Sequence, residues 1–136
     1  MALPSIYSIL ETASKKRSRK EKIEYLRSQE NNKALLTLLK YTFHPDVEFD
    51  LPPGAPPYKE CEALDIEERL YQEVRKLYVF NKNTNLSKVK KEAMFIQILE
   101  SIDRGDAKVL LGVKDKKLPF KGITEKLVKE AFPTLL

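Results

Sequence analysis

Apolar residues recur along this chain at intervals of three and four, the spacing that lines one face of an α-helix. Ile6, Ile9, Leu10 and Ala13 form such a face on a first short helix expected to begin near Pro4. Ser18 is placed to cap a second helix, with Glu21 as its capping-box partner, Ile23 and Leu26 inward and Tyr25 beside them. Asn31 or Asn32 opens a third, in which Leu35, Leu38, Leu39 and Thr42 share a face. The short links between these three predict that they pack as neighbours. Helix is expected again from Asp65 to Tyr78, with Ile66, Leu70, Val74 and Leu77 inward. After an asparagine-rich turn, Asn81 to Asn85, Ser87 should begin the longest helix. Its apolar stripe is Val89, Ala93, Ile96 or Phe95, Leu99 and Ile102, wide enough to mark it as the central helix. Asp106 can cap a further helix through about Gly112, with Ala107, Leu110, Leu111 and Val113 as contacts. Thr124 starts the last helix, whose face is Leu127, Val128, Ala131 and Phe132, and Pro133 ends it. The expected fold is all-α: one domain over residues 1–136, with about six or seven helices.

The stretch from His44 to Glu62 breaks the pattern. It holds five of the eight prolines, and its Pro-Pro pairs forbid continuous helix. A long surface excursion is expected there, with a short extended piece around Val47 to Leu51. A tether between two domains is the other reading, although neither flank is large enough to fold alone.

Composition narrows the chemistry. One cysteine, Cys61, cannot form an internal disulfide, and with the single histidine, His44, it makes a poor metal site. No apolar run approaches the roughly 20 residues of a membrane span, and MALPSIYSIL lacks a basic leader. A soluble, cytoplasmic protein without cofactor, metal or membrane partner is expected. A carboxylate pair such as Glu67 and Glu68 is a weak catalytic candidate, because adjacent helical residues point in different directions.

Charge adds more. Between His44 and Glu68 eight acids face a single lysine, a net of −7, which leaves +12 on the rest of the chain. The basic residues gather at Lys15 to Lys22, at Lys88, Lys90 and Lys91, and from Lys114 to Lys129. If the three runs met on one face, it would attract a polyanion. The last run is the most pointed: Lys114, Lys116 and Lys117 crowd a loop that continues through Pro119, Phe120, Lys121 and Gly122 to the Thr124 helix start. Lysines beside free backbone amides at a helix start suit a phosphate. The plainer reading is a helical hairpin with a solvated basic loop.

The order of elements resembles the N-terminal DNA-binding domain of ATP-dependent DNA ligases, in particular that of T-even bacteriophages. At the front the resemblance lies in IYSILETASKKRSRKEKIEYLRSQENNKALLTLLKYTF, and at the back in ILESIDRGDAKVLLGVKDKKLPFKGITEKLVKEAFPTLL. It covers most of the chain except the proline-rich insert. It implies an all-helical domain without catalytic residues that grips duplex DNA across the minor groove by phosphate and sugar contacts. By the same resemblance Lys117, Lys121, Gly122 and Thr124 would meet a phosphate, with Lys15, Arg17 and Lys20 at the other basic turn. Two departures stand out. The adenylated-lysine motif Lys-x-Asp-Gly is absent, since Lys114-Asp115-Lys116 does not continue as it requires, and the family's Cys-Gly-Ala-Ser-like loop is here Pro119-Phe120-Lys121-Gly122-Ile123-Thr124.

These observations together lead to the expectation of a stand-alone, non-enzymatic protein that binds double-stranded DNA without sequence preference, as a bacteriophage accessory factor acting in the host cytoplasm. The alternative is a protein-interaction factor that docks a phage or host replication, transcription or virion component through the acidic, proline-rich loop.

Overall fold

Among the residues that the computed structural model describes, 5–52, 54–61 and 69–135, the helical spacings become seven α-helices and one 3₁₀ helix. They are α1 (Ile6–Ser14), α2 (Arg19–Ser28), α3 (Lys33–Phe43), α4 (Arg69–Glu73), the 3₁₀ helix (Val74–Phe80), α5 (Lys88–Ser101), α6 (Arg104–Asp115) and α7 (Glu125–Ala131). The fold is all-α, and its buried apolar side chains form one cluster. Extended pairing among the described residues is limited to an isolated antiparallel bridge, Phe49 with Asn81.

Short polar side chains start most of the helices, each accepting from a backbone amide that the helix itself leaves unpaired. Ser18 Oγ accepts from Glu21 N, Asn32 Oδ1 from Leu35 N, Ser87 Oγ from Lys90 N and Thr124 Oγ1 from Leu127 N. Ser5 does this for α1; the expected start at Pro4 lies outside the described residues. The predicted faces of α1 and α3 are buried as the spacing requires, and so are Leu127, Val128 and Ala131 of α7.

Elsewhere the structure corrects the expectation. The region expected to be one helix to Tyr78 is a short α-helix followed by a 3₁₀ helix; Asp65, Ile66, Glu67 and Glu68 lie outside the described residues. Asp103 caps α6, not Asp106, and the helix runs past Gly112 to Asp115. Asp106 is fully buried instead, and its Oδ1 accepts from Tyr7 N at 2.8 Å, so α6 supplies a carboxylate to the first turn of α1. On α5 the buried face is Lys91, Phe95, Ile98 and Leu99, while Val89 is 78% exposed and Ala93 is exposed. A lysine occupies an interior position there because its Nζ reaches Asn81 O at 3.0 Å, leaving its stem free to pack. The central element is α6, which packs on α1, α3 and α5. At Gly105 a Cβ would stand 2.6 Å from Tyr7 Cγ, so a glycine is what lets α1 lie against α6.

The proline-rich excursion is a strap fixed to the body. Phe49 is buried, with its ring centroid 5.8 Å from those of both Tyr41 and Phe80. Asp50 N donates to Phe80 O and Lys82 N to Glu48 O, which pairs the extended piece expected around Val47 to Leu51. Further along, Lys59 N donates to Glu100 on α5. The described part of the segment is therefore no free tether.

Candidate nucleic-acid interface

The basic turn between α1 and α2 and the loop between α6 and α7 are about a hundred positions apart, and the fold brings them together by packing α2 on α7. Two arginines fasten this contact. Arg19 holds the Glu130 carboxylate through two nitrogens, at 3.1 and 2.8 Å. Arg27 donates to Ala131 O and Glu130 O, capping carbonyls that α7 leaves open at its C-terminus. The guanidinium of Arg19 holds the Glu130 carboxyl below the ordinary glutamate value, chiefly by hydrogen bonding.

The loop is a tight turn. Ile123 N donates to Phe120 O at 3.3 Å, and Gly122 has φ +88°, the left-handed geometry that the third residue of a type II turn requires. Phe120 is buried against Tyr7 of α1, with ring centroids 5.2 Å apart, so the turn sits on the body. Lys121 at its crest is exposed. Over the glycine lies Lys22 of α2: its Nζ is 2.5 Å from where a Cβ at position 122 would be.

Lys22, Lys121 and Gly122 thus belong to one surface, while Lys20, two positions from Lys22 on α2, and Arg17, in the turn before that helix, are exposed. Lys15 is exposed there too and makes a loose pair with Glu11 at 3.5 Å. Lys117 is exposed at the far end of the α6–α7 loop. Thr124 lies next to this surface, but its hydroxyl accepts from Leu127 N as the α7 cap. With seven residues, α7 has little macrodipole to offer an anion, so the charge at this surface comes from side chains.

Two of the expected residues are directed elsewhere. Lys114 is buried, with its Nζ on Pro52 O at 2.7 Å and on the Asp115 carboxylate. Lys116 ends α6 in the left-handed conformation, φ 58°, and its Nζ donates to His44 O at 2.7 Å. Both lysines tie down the acidic strap. The middle basic run meets the same strap: Lys88 and Lys91 each stand 3.7 Å from the Asp50 carboxylate. The three runs therefore do not form one face, because the acidic segment lies against parts of two of them.

Lys22 was missed from the sequence. It belongs to the run Ser14 to Lys22, but nothing in that run distinguishes it; its place depends on how α2 meets α7. Among the described residues no three His, Cys, Asp or Glu side chains converge as a metal site, and no helix is long and apolar enough to cross a membrane. Residues 9–119 match the model of a family described as a family of unknown function, DUF6433. No curated protein matches the chain.

Proposed function

The chain belongs to a family of unknown function, and we propose that this member is a non-catalytic protein that grips duplex DNA through its phosphate backbone and minor groove. The observation that carries this reading is Lys22 lying over Gly122. It joins a basic turn and a basic loop that are distant in the sequence into one cationic surface. Lys22 and Lys121 supply ammonium groups there, and Lys20, Lys117 and Arg17 are exposed on the same two segments. Cations of this kind neutralise phosphates and release condensed counterions, and they read no base edges. Both segments lie within the two long stretches over which the sequence resembles the DNA-binding domain of phage ligases. That resemblance supports a role as a phage accessory factor in DNA metabolism.

The test is a titration of duplexes of unrelated sequence across a range of salt concentrations. Log affinity should fall with log salt by about 0.9 per neutralised phosphate, and the duplexes should bind within a few-fold of one another. Replacing both Lys22 and Lys121 by alanine should weaken binding and lower the slope by about two. A salt-independent affinity, or a double variant that binds like the parent, sinks the proposal.

A further inference from the structure

The 3₁₀ helix sorts its side chains by threes, because residues i and i+3 eclipse in that geometry. Val74, Leu77 and Phe80 form its buried stripe. Arg75 and Tyr78, one position on, form an exposed stripe, and Tyr78 is 61% exposed. The end of this helix is tied to the start of α5. Asn81 N donates to Tyr78 O, and Asn81 O in turn accepts from Lys91 Nζ at 3.0 Å. Tyr78 and Lys82 thus lie within three residues of one end of that link, and Lys88, Val89 and Lys90 within three residues of the other. Among the described residues Tyr78 and Val89 are the large apolar side chains left exposed, one on each of the two elements that this link joins.

The charges around the corner have been sorted as well. Glu73 is buried and paired with Arg69 and Lys76, Glu48 pairs with Lys82, and Asp50 stands between Lys88 and Lys91. Arg75 and Lys90 are exposed and have no ion pair among the described residues. An exposed ring beside an arginine on a helix stripe, with further lysines across a hydrogen-bonded turn, lets a base stack while its phosphates meet cations.

We propose that this corner is a second nucleic-acid surface, on which a single strand stacks a base against Tyr78 and sets its phosphates against Arg75, Lys88 and Lys90. It shares no residue with the Lys22–Gly122 surface and stands whether or not that one binds duplex. A duplex keeps its bases stacked on one another, so the ring selects for unpaired nucleotides.

The experiment measures anisotropy of labelled oligothymidine and oligouridine of about 15 nucleotides, with a random duplex as the third probe. The full chain is compared with Tyr78→Ala, Tyr78→Phe and Tyr78→Trp, each checked for folding by circular dichroism. Tyr78→Ala should lose about tenfold in affinity for the single strand while Tyr78→Phe keeps it, because stacking uses the ring and not the hydroxyl. Duplex affinity should be unchanged in both. The chain has no tryptophan, so Tyr78→Trp supplies a lone indole whose fluorescence the bound oligonucleotide should quench. Loss with only one of the two oligonucleotides identifies DNA or RNA as the strand. The proposal is overturned if the parent binds neither oligonucleotide, if Tyr78→Ala binds them like the parent, or if its loss is equal on duplex. An indole at position 78 that is indifferent to bound strand overturns it too.

Discussion

Gly122 is required by its own turn, at φ +88°, before any ligand is considered. Valine there forces a β-branched residue into the left-handed region, and Gly122→Val should cost roughly 1–3 kcal/mol of stability, read from urea denaturation. The new side chain also displaces the Lys22 ammonium from above the turn. If that displacement is how it acts on binding, Gly122→Val should lose no further affinity for duplex on a Lys22→Ala background. A further loss in the double variant would mean that the glycine backbone itself meets a phosphate. Asp106 poses a separate question of stability. Its buried carboxylate pairs the partly buried Tyr7 amide, so Asp106→Ala leaves that donor without this acceptor and should cost about 2 kcal/mol. Asp103→Ala removes an ordinary cap from α6 and should cost about 1 kcal/mol. Comparing the two melts checks the order.

Among the elements, the strap and the α2–α7 pair behave differently. The strap is held by Phe49 in the core and by Lys114 and Lys116 at its edges. Phe49→Ala should cost about 3–5 kcal/mol, as for other buried phenylalanines. Lys114→Ala should speed amide exchange along residues 50–60 and leave duplex affinity within about twofold, because this ammonium serves the strap. A clear loss of duplex affinity would return Lys114 to the binding surface. The contact of α2 with α7 includes a carboxylate whose charge matters. Glu130 titrates below an ordinary glutamate because Arg19 binds its charged form. A depressed folded-state value favours the folded state above the unfolded value, and the contribution fades as pH falls through the depressed one. Arg19→Ala should move the Glu130 carboxyl midpoint upward in an NMR titration; an unmoved midpoint would mean that the pair is absent in solution.

For the whole molecule the proposal predicts that the purified protein forms no covalent nucleotide adduct and seals no nick, and incubation with radiolabelled ATP checks both. The sequence by itself determined the all-α class, most helix starts and the inward faces of α1, α3 and α7. Those features follow from interactions between residues three and four apart, which spacing displays directly. It also showed that positive charge concentrates in three runs and negative charge in one. Only the tertiary structure decided which charges remain available, because that depends on which distant segments touch. The acidic strap lies against Lys88, Lys91, Lys114 and Lys116 and leaves Lys90 and the α2 lysines open. Tertiary contacts also decided that α6 is central and that Lys91, not Val89, turns inward on α5. No spacing rule anticipates that turn, because the carbonyl that receives Lys91 belongs to Asn81, ten positions back and in a different element. Lys22 came to lie over Gly122 for the same reason: the two residues are a hundred positions apart and meet only when α2 packs on α7.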